Sequence, residues 1–199
     1  MKTKIHFSIL FGLICVILLS MSRFNVLCDD LRGNVLRLHI IANSDSVADQ
    51  ELKLKIRDEI LAQTGDMFLQ ITDLETAERK VENSLKKFED IANKVIKKNG
   101  FEYTSHAYLG ESYFETRQYD TFTLPAGNYR SLIINLGKGE GKNWWCVIFP
   151  TVCIPAATNG ELTDSVTPQS ANVATNANRY IMKFKTVEIY EKIKKFVNK

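Results

Sequence analysis

The chain has 199 residues, 45% of them hydrophobic and 25% charged, with ten Gly and four Pro, which excludes fibrous, low-complexity and disordered classes and leaves enough chain for one core. Its formal net charge of +3 is uneven: Lys2 and Lys4 lead the chain, and the last 21 residues carry seven basic against two acidic side chains. The stretch between, 7–178, balances to −4, so it has no phosphate-binding stripe of the kind a nucleic-acid binder needs.

Residues 1–22, MKTKIHFSILFGLICVILLSMS, set two lysines before an apolar run from Phe7 to Leu19, and Ser20 and Ser22 stand three and one residues before a cut at Arg23. That is the order of an export signal. The run falls short of the roughly 20 residues of a usual membrane span, which favours removal, while Ile5 to Met21 also reads as a retained anchor. Either way the body faces the far side of a membrane. Cys28 follows Asn-Val-Leu, so a lipoprotein site is not expected. Thiols outside the cytoplasm tend to pair, and beyond Cys15 the chain offers Cys28, Cys146 and Cys153, an odd number.

In chain order, Val35 to Ile41 alternates apolar residues with Arg37 and His39 and predicts a strand buried on one face. Ser46 and Asp49 form a capping box opening a helix to about Gln63, stopped by Gly65. Thr72 with Glu75 opens a second helix, whose stripe Ala77, Val81, Leu85, Phe88, Ala92 and Val95 runs to Lys98 before Asn99 and Gly100 end it. From Phe101 strands take over at 101–109, 113–123, 128–136 and 144–149, predicting an antiparallel meander and an α+β fold. Leu124-Pro125-Ala126-Gly127 suits a type I turn, and Gly137 to Gly141 a flexible loop. Residues 155–178, poor in large apolar groups, read as a polar linker. Tyr180 to Phe184 reads as a short strand, followed by a basic helix with Val187, Ile189, Tyr190, Ile193, Phe196 and Val197 on one side.

Few of these residues point to chemistry. GKGEGK lacks the Walker spacing and precedes a strand, so it reads as a hairpin loop. Histidine and cysteine spacings form no metal site, and no cofactor is implied. Cys146 and Cys153 flank Pro150, which permits a reversal bringing them together as a disulfide, the favoured reading. The competing reading makes Cys146 a nucleophile activated by His39 or His106. Asp45/Asp49 and Asp58/Glu59 fit caps and solvated helix faces. Trp144 and Trp145 point to opposite faces of a strand, so one is core and the other is free to meet a partner. The basic C-terminal helix either packs on the sheet, which is favoured, or lies on a membrane surface.

VLRLHIIANSDSVADQELKLKIRDEIL (35–61) and FETRQYDTFTLPAGNYRSLIINLGKGEGKNWWCVIFPTVC (114–153) closely resemble the stage II sporulation protein R family of endospore-forming bacteria. The resemblance covers residues 35–154, carried by LHIIANSD, TLPAG and NWWCVIFP in one order, and returns weakly in KFKTVEIYEKIKKF. FETRQYD and FPTVCI depart from the family's usual FPTRxYG and FPPLCF at turn or edge positions. The resemblance implies a messenger exported from the forespore into the intermembrane space. There it activates a membrane-embedded aspartic protease of the mother cell, stage II sporulation protein GA, which matures the sigma-E precursor. On this reading the chain acts by binding rather than catalysis. Its contact candidates are His39, Asn43, Asp45, Asp49 and Gln50 at the strand-to-helix corner, with whichever of Trp144 and Trp145 is exposed. An exported cysteine-dependent hydrolase and a structural envelope protein are the alternatives.

Overall fold

The computed structural model describes residues 2–119, 121–151 and 165–197. Its elements are α1 (Lys2–Gly33), β1 (Leu36–Ile41), α2 (Val47–Thr64), α3 (Leu74–Glu82), α4 (Leu85–Lys98), β2 (Ser105–Phe114), β3 (Arg117–Gln118), β4 (Thr123–Leu124), β5 (Gly127–Leu136), β6 (Asn143–Phe149), α5 (Pro168–Thr175) and α6 (Ile181–Val197). They form two units: Gly33–Phe114 with Asn128–Val166, and Met1–Arg32 with Glu115–Gly127 and Thr167–Lys199.

The first unit is a four-stranded sheet, ordered β2-β5-β1-β6, covered on one face by α2, α3 and α4. Alternation along each strand supplies that face: Leu36, Leu38 and Ile40 of β1, Leu132, Ile134 and Leu136 of β5, and Cys146 and Ile148 of β6 meet Leu52, Ile56, Ile60, Phe88 and Ile96 of the helices. The α+β class is the one expected, but the strand order is not that of a meander. β1 lies between β5 and β6, parallel to the first and antiparallel to the second. The physical reason is burial. β1 is buried on both faces, with Leu36, Leu38, Ile40 and even Arg37 fully enclosed, so the centre of the sheet suits it better than an edge.

The helix predicted over 72–98 is two helices, broken at Asn83 and Ser84, residues that favour turns over helix interiors. Its cap is Asp73, accepting from the Thr76 N–H at 2.8 Å, in place of Thr72. Strand β2 starts at Ser105 and ends at Phe114, and the predicted 113–123 strand reduces to the short β3–β4 pair.

In the second unit the two ends of the chain share one core. Phe24 and Cys28 of α1 pack with Val173 of α5 and with Phe184 and Val187 of α6. Arg32 donates to Asp29 Oδ1 at 2.7 Å and to the Ala126 carbonyl at 2.6 Å. At the bend of residues 124–127, Gly127, at φ +145°, lies against the Arg32 side chain where a Cβ has no room. Two expectations are corrected. Residues 168–175, read as linker, form α5, capped by Thr167 and buried through Ser170, Ala171, Val173 and Ala174. These residues are too small to register as an apolar stripe. Residues 181–184, read as strand, begin α6, because Phe184 and Val187 fall on one helical face.

Candidate functional site

The strand order creates the corner that carries most of the candidate residues. β5 and β6 flank β1, so residues 137–142 must cross over the C-terminal end of β1, about 10 Å at ordinary strand spacing. Asn43 is the post on which they hang: its carbonyl accepts from the Glu140 N–H at 3.3 Å and its Oδ1 from the Lys138 N–H at 3.1 Å. The Gly141 N–H donates to the Ala42 carbonyl at 2.9 Å, and the Lys142 N–H to Asp45 Oδ1 at 2.7 Å. Gly137 and Gly139 turn the loop at φ +54° and +66°. A Cβ on Gly137 would meet Asn43 Oδ1, and one on Gly141 the Ser44 carbonyl oxygen.

From the helix side Asp49 closes the corner. Its N–H donates to Ser46 Oγ at 3.1 Å, the cap that the sequence spacing predicts. Its buried carboxylate accepts from Ser44 Oγ at 2.5 Å, Tyr103 Oη at 2.6 Å and Asn43 Nδ2 at 2.9 Å. Burial alone would push this carboxyl up; the hydrogen bonds from Ser44, Tyr103, Asn43 and Ser46 outweigh it and hold it below the usual carboxylate range. Burial and the Asp49 carboxylate push the Tyr103 hydroxyl well above its ordinary value. Gln50 Nε2 donates to the Ser44 carbonyl at 2.9 Å, and buried Lys53 ties Gln50 Oε1, at 2.6 Å, to the Lys142 carbonyl, at 2.8 Å. Burial lowers the Lys53 pKa, with the Asp45 charge opposing it. Asn43, Asp49 and Gln50 thus bond within the corner, and Asp45 is its exposed member.

His39 lies on the other face of the sheet, opposite Trp145 in register. Its ring sits between Ser112 Oγ and Asn143 Oδ1, each at 3.0 Å, and meets the rings of Phe114 and Trp145 at 5.9 and 6.2 Å. Burial, with the nearby Arg37 charge, lowers its pKa against the opposing Asn143 hydrogen bond, so the imidazole is neutral at neutral pH. Asn143 Oδ1 only accepts, so the fitting tautomer donates from Nε2 and accepts the Ser112 hydroxyl at Nδ1. Arg37 stacks on Phe114 with its guanidinium carbon 3.6 Å from the ring centroid. Trp145 is half-buried, and its indole N–H is enclosed without a hydrogen-bond partner among the described residues. Trp144 turns to the helix side, where Arg57 covers its ring at 4.3 Å.

The candidates therefore separate into a corner clamp, a helix-side Trp144, and a polar and aromatic face built on His39 and Trp145. Sequence reasoning missed Arg37, Lys53, Tyr103, Ser112 and Phe114. Only Lys53 carried a local signal, a lysine in the helix register of the buried stripe.

Cys146 pairs in register with Leu38, so it points into the helix-side core while His39 points away. His106 is on β2, at the opposite side of the sheet order from β6, and bonds Glu89 Oε1 at 2.9 Å. Neither histidine stands beside Cys146 as a base. Cys146 is disulfide-bonded; its expected partner, Cys153, lies outside the described residues. Among the described residues no group of His, Cys, Asp and Glu could hold a metal ion.

A mixed α+β domain with a helix-side core and a polar, aromatic opposite face defines the class. The family model for stage II sporulation protein R matches residues 32–159, and the chain belongs to that family. Stage II sporulation protein R of Bacillus subtilis (strain 168) is 38% identical over 126 residues, 63% of this chain and 56% of that protein. The chain thus spans little more than half the length of this curated relative. No solved structure matches.

Two outcomes test the clamp. Gly141→Ala forces the Ser44 backbone to shift and costs about 2 kcal/mol, Asp49→Ala costs about 3 kcal/mol, and the double variant costs less than their sum in urea unfolding because both break one clamp. Because the Asp49 carboxyl is lowered on folding, its contribution is full above the unfolded carboxyl pKa, about 4, and fades as pH falls below it. The stability gap between the natural chain and Asp49→Asn, measured by urea unfolding from pH 7 down to 2.5, therefore narrows on the acid side.

Proposed function

We propose that this chain is an exported intercompartmental signal of endospore formation. It activates the membrane-embedded aspartic protease stage II sporulation protein GA, which then matures the sigma-E precursor in the mother cell. Family membership supports the sporulation role. The observation that carries the binding mode is the face built on His39 and Trp145, where a neutral imidazole, an indole and two ring-stacked residues sit opposite the helix-covered core. An activator drives its target only by binding the active state more tightly, and a half-buried aromatic on a rigid strand is the kind of anchor such binding uses. The exposed apolar half of α1 agrees with export and delivery at a membrane. No cofactor takes part in this reading.

The test is the full chain reconstituted with the protease in vesicles, following precursor cleavage. The natural chain stimulates cleavage, and Trp145→Ala, assayed under conditions where circular dichroism shows it folded despite a lowered urea midpoint, loses apparent affinity about thirtyfold. Absence of cleavage at saturating natural chain refutes the reading, and a fully active Trp145→Ala moves the contact elsewhere.

We further propose that Cys146 is bonded to Cys153, holding the end of β6 in the oxidising space outside the cytoplasm. Peptide mapping after alkylation without reductant recovers the two residues linked; an alkylated Cys146 would overturn the pairing.

A further inference from the structure

Between Lys4 and Arg23, α1 carries 18 residues with no Asp, Glu, Lys or Arg, about 27 Å of helix, close to the hydrocarbon thickness of a thin bilayer. Every large apolar side chain from Ile5 to Leu19 is exposed. The helix then continues unbroken past Ser20 and Ser22 into the core shared with α5 and α6. Arg23 is thereby set at the level where hydrocarbon gives way to headgroups, on the side opposite Lys2 and Lys4.

At this level the second unit has a cleft of about 450 Å³. Val16 and Leu19 line its membrane end, Phe24 and Tyr180 its wall, and Arg23 and Lys183 bring the charge. Lys183 is fixed there, donating from Nζ to Ser20 Oγ at 2.9 Å and standing over the Phe24 and Tyr180 rings at 5.6 and 6.0 Å. Among the described residues no acidic side chain lines the cleft. α6 runs parallel to α1, since Lys183 meets Ser20 while Glu191 approaches Arg32 at 3.8 Å. Exposed Ile181 and Met182 at its start therefore lie beside the same boundary. Apolar walls below, two cations and a tyrosine above match a phospholipid, acyl chains against Val16 and Leu19 and phosphate at Arg23 and Lys183.

We propose that this cleft holds one anionic phospholipid of the bilayer that α1 spans, so that the N-terminal helix is a retained anchor. The proposal rests on the export reading and takes its anchored form. Its test uses the full chain in nanodiscs of phosphatidylcholine with 30% phosphatidylglycerol, a composition of our choosing, released into detergent for native mass spectrometry. One phosphatidylglycerol stays bound in preference to phosphatidylcholine. Arg23→Gln and Lys183→Gln each reduce its retention about fivefold, and Arg23→Lys restores it. Arg23 is exposed, so its variants leave the fold intact.

Equal retention of both lipids, or retention unchanged in the double Gln variant, overturns the proposal. So does glycerol phosphate binding as tightly as the lipid, which marks a site for soluble phosphate, and so does a lipid-free dimer, which makes a second copy the occupant. A chain isolated from membranes that begins at Arg23 also overturns it, because Val16, Leu19 and Ser20 are then gone. Precursor cleavage by the same double variant separates the readings: lost lipid with normal cleavage leaves the activator role standing.

Discussion

The crossing of residues 137–142 over the end of β1 is the constraint on which the first unit depends. A loop of six residues between neighbouring antiparallel strands would need little support. Here it links strands that a third strand separates, and it must pass close over a helix start whose own N–H groups need partners. Asn43, Asp49 and Lys53 meet both needs: each bonds to more than one segment of the corner, so loop, strand end and helix cap form one network. The left-handed glycines and the tight approach of Gly141 follow from that geometry.

Fixing that corner also fixes which way β6 faces. A one-residue slip would exchange the two sides of a strand, sending Cys146 and Ile148 outward and Trp145 into the helices. The loop length and its bonds to Ala42, Asn43 and Asp45 hold the register His39 to Trp145 and Leu38 to Cys146. The aromatic and imidazole face is thus a product of the clamp. This assigns the corner residues a positioning role for the face that carries His39 and Trp145.

What was legible in the sequence was local. Ser46 with Asp49, the stripe Leu52, Ile56 and Ile60, the Asn99-Gly100 stop and the opposite facing of Trp144 and Trp145 all follow from spacing, and the structure has them. Strand order was not legible, because consecutive strands joined by short turns pair most often and nothing in Val35 to Ile41 shows which strands lie beside it. Tyr103 reaches Asp49 from 54 residues away, and Arg37 finds Phe114 only through the sheet. The small residues of α5 escaped for a different reason: Ser170, Ala171 and Ala174 are buried because they let helices approach closely, which leaves no apolar run to read.

The two units also differ in what their folding requires. The sheet and its three helices draw almost wholly on residues 33–149, whereas the other core needs Phe24 and Cys28 from the start of the chain and Phe184 and Val187 from its end. Contacts of such sequence separation form late, since the closing entropy of the long loop precedes any gain from packing. The core-facing side of α1, through Phe24 and Cys28, therefore has no partner until α5 and α6 are both in place. One helix thus joins an exposed apolar half, Ile5 to Leu19, to a half whose burial depends wholly on contacts made from far along the sequence.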